Sequence, residues 1–167
     1  GATPHISGEL FRRIAGIELV HVPYKGGGEA VAAVLGGHVQ MSFGAVSTAL
    51  PHMKTGKLRA LGITSLKRLT AVPEVPTIAE SGLPGYEVVQ WFGVFVPAGT
   101  AKPIVAKLSR ELAGILALQE VRDRYSTQGV EPTSSTPEAF DAYVKAEVGR
   151  WKKLLNEMGI RGDQVVR

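Results

Sequence analysis

The stretch that most constrains the fold is residues 21–39, with the apolar run at 17–22 that feeds it. Pro23 has no N–H to give a sheet, so it ends regular pairing there. Gly26, Gly27 and Gly28 follow, and then Ala30, Val31, Val34 and Leu35 fall on one side of a short helix. Gly36 and Gly37 stop that helix, and Val39 opens the next apolar run. Strand, glycine-rich turn, helix, glycine stop and strand, in that order, make one βαβ crossover. A chain built around such a unit is expected to be α/β, with a mainly parallel sheet and helices on its faces.

The flanking sequence extends the alternation. Thr3-Pro4 starts a helix, with Ile6, Leu10, Phe11 and Ile14 at helical spacing and Gly16 as its stop. Residues 39–43 alternate apolar and polar, as a strand does. Val46, Leu50 and Met53 then share a helix face, with Pro51 expected in or near the first turn and Gly56 at the end. Strands are expected over 58–64 and 88–96, separated by a polar, proline-punctuated loop at 65–75 and a single helical turn at 77–81.

The last third changes character. Pro103 opens a helix carrying Ile104, Val105, Leu108, Leu112, Ile115 and Leu116. A second helix over 119–127 stops at Gly129. Thr136-Pro137 opens a long third helix through Phe140, Val144, Val148, Trp151, Leu155 and Met158, stopped by Gly159. Broad apolar stripes need a surface to bury against. The only strand expected in that third is 129–132, so part of the sheet these helices cover is expected to lie outside this chain.

Composition narrows the function classes. The 167 residues suffice for one domain or two small lobes, and a 44% hydrophobic share supplies a core. No apolar run approaches the roughly 20 residues of a membrane helix. The chain opens on Gly1 with no leader, as a processed product or fragment would. The lack of cysteine excludes disulfides, thiolate metal sites and cysteine nucleophiles. A net charge of +4 is spread along the chain, its short Lys67-Arg68 and Lys152-Lys153 clusters having no interleaved aromatics, so nucleic acid is not expected as a partner.

Candidate chemistry is sparse. The glycines 26–28 lack the Gly-Lys-Ser/Thr ending of a phosphate loop, and no G-x-G-x-x-G occurs. His5, His21, His38 and His52 show no i, i+3 or i, i+4 spacing for a metal, and no cofactor or metal is expected. Ser47 follows an expected strand but lacks a G-x-S-x-G elbow, which leaves a hydrolase-like lobe using Ser47 and a histidine as an alternative from another class. Two helix starts suit an anion instead. Gly1, Ala2, Thr3 and His5 place small residues and free N–H groups at one; Gly44, Ala45, Val46 and Ser47 do so at another. In an open α/β sheet such loops, beyond the carboxyl ends of strands, are where ligands bind.

Longer strings carry a resemblance. His21-Val22-Pro23-Tyr24-Lys25-Gly26-Gly27, Leu35-Gly36-Gly37-His38-Val39 and residues 49–61 occur in order. They are followed by residues 75–87, then Trp91-Phe92-Gly93 through Pro97-Ala98-Gly99-Thr100. Together they resemble the Bug (TctC-type) family, the substrate-binding proteins of tripartite tricarboxylate transporters, over essentially the whole chain. The resemblance implies a periplasmic protein of the type II binding fold whose two lobes close on a small carboxylate and which meets membrane transporter subunits. It implies that 1–90 is the second ligand-binding lobe, 91–97 a crossover, and 98–167 the mostly helical end of a first lobe whose N-terminal part is absent. It also implies that Thr3 offers a hydroxyl to the ligand. Many relatives carry an Asp-Asn-like pair where Gly44-Ala45 stands here, which leaves backbone groups as the contact at that loop. The open stripes at 103–117 and 137–158 are a route to self-association.

Overall fold

The computed structural model describes residues 3–159. Six helices form: α1 (Thr3–Ala15), α2 (Gly27–Leu35), α3 (Val46–Lys54), α4 (Lys102–Ala117), α5 (Gln119–Ser126) and α6 (Pro137–Met158). Their ends follow local chemistry. Gly16, Gly37, Gly56, Gly129 and Gly159 all take positive φ, between 65° and 71°, which closes a helix without the steric penalty a Cβ would bring. At the start of α6 the Thr136 hydroxyl accepts from the Ala139 amide at 3.2 Å, and Pro137 occupies the first turn. Pro51 sits inside α3 rather than in its first turn, so one intrahelical bond is lost there.

The expected parallel sheet does not form as ladders. Residues 17–24, 41–45, 59–62 and 87–97 run without regular secondary structure. Among the described residues one parallel bridge, Ile63 to Thr77, stands in place of a sheet. Around it, Ile63 donates to the Pro76 carbonyl, Ile78 to that of Ile63, and Val88 to that of Thr64, each at 2.9 Å. Alternating apolar residues specify which way side chains face, but a ladder also needs a second strand about 4.8 Å away in register. Away from that bridge such partners are lacking among the described residues, and apolar side chains stay open: Val20 is 91% exposed and Phe92 83%.

The chain divides into two compact units. Among the described residues one runs up to Gln90 and adds Thr127–Gly129; the other holds Trp91–Ser126 and residues 130–159. In the first unit α2 packs on α3. Its core is Leu50, Ile63, Val72 and Val75, with Val46, Met53, Ala60 and Leu69 packed around them. Each such aliphatic side chain, fully buried, contributes about 1.5–3 kcal/mol. The polar loop after Ile63 thus lends two valines to the core. A reciprocal cap holds the next turn: Thr77 donates its amide to Glu80 Oε2 at 2.8 Å, and the Glu80 amide donates to Thr77 Oγ1 at 3.0 Å. The Thr77 amide first, and Arg68 Nε at 2.9 Å second, hold the Glu80 carboxyl below the usual carboxylate range.

In the second unit α4 packs against α5 and α6. No residue of α4 or α5 is fully buried. Ile104, Leu108 and Ile115 on α4 and Val148 on α6 are exposed, so both stripes remain open. The tightest packing is aromatic: Trp91 meets Phe140 and Tyr143 edge-on, with centroids 5.8 Å and 5.5 Å away, and Phe95 meets Phe140 at 5.4 Å. No helix among the described residues is long and apolar enough to cross a membrane.

Candidate ligand-binding loops

The first unit has three helices, and their starts are chemically unlike. α2 follows the glycine run, yet its first turn contains Glu29, whose carboxylate accepts the Lys25 amide at 3.1 Å. That acid occupies the positive end of the helix and repels an anion. Gly27 faces α3, where a Cβ on it would lie in ordinary contact with Thr48 at 3.6 Å. By contrast, α1 and α3 have no acidic residue in their first turns.

Gly1 and Ala2 lie outside the described residues. Thr3 begins α1 and is half-buried. Pro4 has no N–H, so it brings no backbone donor to that first turn. The Ser7 hydroxyl donates back to the Thr3 carbonyl at 2.9 Å. The His5 ring lies flat on that of His21, with centroids 4.0 Å apart and planes 7° from parallel. Burial, and then His21 beside it, lower the pKa of His5 below its ordinary value. The stack was not legible in the sequence, because the two histidines are far apart in it and share no helix.

At the second loop Ala45 is the extended N-cap of α3, with no side-chain cap. Its carbonyl accepts from the Thr48 amide at 3.1 Å and from the Thr48 hydroxyl at 2.7 Å. Gly44, Ala45 and Ser47 are exposed. A Cβ on Gly44 would meet nothing within 4 Å, so there is room for a ligand atom. Val46 turns its side chain to the Leu50 cluster, and a Cβ on Gly129 would come within 2.8 Å of it. Val46 therefore has only its backbone to offer. Phe43, just before Gly44, reaches α1: its ring would lie 3.6 Å from a Cβ on Gly8, and it meets the Phe11 ring at 5.7 Å. Sequence reasoning gave Gly8, Phe11 and Phe43 no part in the site. Among the described residues no group of three His, Cys, Asp or Glu could hold a metal.

The family model described as tripartite tricarboxylate transporter family receptor matches residues 1–160. The chain belongs to that family. Its members are solute-binding proteins rather than enzymes, which removes the nucleophile reading of Ser47. A relative from Pseudomonas sp. strain P51, the UPF0065 protein in the tcbD-tcbE intergenic region, is 38% identical over 98% of this chain and 49% of its own length. The chain spans about half the length of the curated relatives it matches first, 49% in each of two cases. Among solved structures, R. palustris Rpa4515 with adipate superposes with a TM-score of 0.86 at 35% identity, covering 96% of this chain and 54% of that one. The periplasmic binding protein BugD gives 0.82 at 34% identity, over 96% and 54%. MatC (Rpa3494) from Rhodopseudomonas palustris, with bound malate, gives 0.74 at 33% identity, over 91% and 53%.

Proposed function

We propose that this chain is part of a periplasmic receptor that captures a small organic carboxylate and presents it to the membrane subunits of a tripartite transporter. The supporting observation is the contrast between helix starts: α1 and α3 keep their first turns free of acid, while α2 is filled by Glu29. Relatives crystallised with adipate and with malate share the fold and a third of the sequence. One carboxylate group would rest on the start of α1 with the Thr3 hydroxyl beside it, His5 close by and Gly1 and Ala2 before it. The backbone N–H groups of Gly44, Ala45, Val46 and Ser47 would take the ligand at the second loop.

In this reading residues 1–90 are one ligand-binding lobe of the type II arrangement, and the Ile63–Thr77 bridge marks its mainly parallel sheet. Residues 91–97 cross over, and 98–167 belong to the opposing lobe, so that closure traps the ligand. The open stripes on α4 and α6 would be covered by further chain or by a second copy.

Calorimetric titration of the protein with adipate, malate and citrate, against a neutral diol, tests this. Heat from at least one acid and none from the diol is expected. Gly44→Asp should weaken binding about tenfold, since it does to α3 what Glu29 does to α2. Silence from every acid would overturn the assignment.

A further inference from the structure

Tyr86 is the largest of the fully buried side chains, 0% exposed, and the family motifs give it no role beyond a position in a string. Its backbone is fixed on both sides. Gly85 turns at φ 86° just before it, its own amide donates to the Leu83 carbonyl at 3.1 Å, and the Val88 amide donates to Thr64 at 2.9 Å. From this anchor the phenol reaches 79 residues back and donates to the Ser7 carbonyl at 3.0 Å. Ser7 is itself buried, and its hydroxyl holds the Thr3 carbonyl. The Tyr86 hydroxyl is thus joined to the first turn of α1 by two successive hydrogen bonds. The other route runs through the ring. Its edge-on partner is Phe11, at 6.1 Å and 82°. Phe11 meets Phe43, which slides against Gly8 and directly precedes Gly44. One buried side chain therefore sits at the root of both candidate loops.

The geometry points to Tyr86 as a positioning residue that sets the first turn of α1, through Ser7, and the Gly44–Ser47 loop, through Phe11 and Phe43, relative to one another. The inference rests on the carboxylate reading above and deepens it. A site made of backbone donors has no side-chain rotamer to adjust, so its fit depends on how the two loops are held. A buried tyrosine also needs some acceptor merely to be satisfied. The two roles differ in what removal of the hydroxyl does: lost satisfaction loosens the unit as a whole, whereas lost positioning loosens one turn and weakens binding.

Tyr86→Phe keeps the ring and removes the bond. Titration with adipate and malate should show about fivefold to tenfold weaker binding, the loss of one buried hydrogen bond. Amide exchange should accelerate at Ser7 and Gly8, the first amides that can bond back within α1, and not across α2 and α3. Phe11→Leu keeps the hydroxyl bond and cuts the second route, so exchange should rise at Thr48, whose amide donates to Ala45, while Ser7 and Gly8 stay protected. Unchanged affinity in Tyr86→Phe, or acceleration spread evenly over the unit, overturns the inference. If the unaltered protein takes up neither acid, the carboxylate reading fails, and the exchange pattern alone still decides what Tyr86 holds in place.

Discussion

Replacing Gly93 by alanine should destabilise the second unit by about 2 kcal/mol, within the range of about 1–3 kcal/mol for overpacking. Gly93 does not have the left-handed backbone that makes glycine obligatory elsewhere; what it supplies is space. A Cβ there would fall inside the van der Waals shell of Phe140 Cζ, 3.0 Å from Cε1 and 3.2 Å from Cε2. Carbon atoms pack best at about 3.5–4.0 Å, so the ring tip must withdraw by roughly 1 Å. It cannot do so freely, because Phe140 is wedged between Trp91 and Phe95, 5.8 Å and 5.4 Å away. Each aromatic pair disturbed forfeits part of about 0.5–1.5 kcal/mol. Trp91 and Trp151 both lie in this unit, so tryptophan fluorescence during urea unfolding reports on it alone. With a urea slope of about 1–3 kcal/mol per molar, the midpoint should fall by about 1 M. In a Phe140→Ala background most of the penalty should vanish, since the obstructing ring is gone. A Gly93→Ala midpoint equal to that of the parent, or a penalty unaltered by Phe140→Ala, refutes the packing argument.

Thr77→Ala removes a wholly buried hydroxyl that caps the Glu80 amide, and a thermal melt should show a loss of about 1–2 kcal/mol, largely restored by Thr77→Ser. A loss under about 0.5 kcal/mol would mean the cap contributes nothing beyond an ordinary surface contact. Burial pushes the Tyr86 phenol up to about 12. The folded state then holds a proton that the unfolded chain releases near pH 10, so stability is intact below pH 10 and is lost as the pH rises from 10 toward 12. The full loss is about 2–3 kcal/mol, read from urea midpoints across that window, and Tyr86→Phe should flatten the profile; an equal alkaline slope in both proteins would remove Tyr86 as its source.

What the sequence made legible follows the reach of its signals. Most helix ends were readable because each is set within a few residues: Thr136 caps α6 and Gly159 closes it, and the positive φ of Gly16, Gly37, Gly56 and Gly129 follows α1, α2, α3 and α5. The buried face of α2 was readable only in part, since Val31 and Ala33 are buried while Leu35 is 39% exposed. Strand pairing was not readable. Alternation at 39–43 and 88–96 says nothing of whether a neighbour lies within bonding distance, and here only Ile63 and Thr77 supply one among the described residues. In the candidate site the two helix starts were visible as small residues before helical patterns. Their scaffold was not, because the Tyr86–Ser7 bond spans 79 residues and the Phe11–Phe43 contact joins elements that share no local motif.

The three helix starts of the first unit also correct the signal one should look for. Glycine is the residue that usually suggests an anion-binding loop, and Gly26, Gly27 and Gly28 are the richest run in the chain. Yet there the third residue of the helix is Glu29, which accepts a backbone N–H itself. Glycine allows backbone to approach closely but does not decide what approaches. The starts at Thr3 and Val46 have fewer glycines and no acid within the first turn, so their dipole ends carry no competing charge. The informative residue at a helix start is therefore the one at the third position. An acid there closes the end to a carboxylate, and its absence leaves the backbone donors available. A chain that recognises its ligand through such donors can change the acid it binds by shifting two loops a fraction of an ångström, with no substitution inside the loops. On the proposed reading this is why the identity of the ligand leaves so little trace in Gly44, Ala45, Val46 and Ser47, and why the buried Tyr86 and the half-buried Phe43 are where that shift would be set.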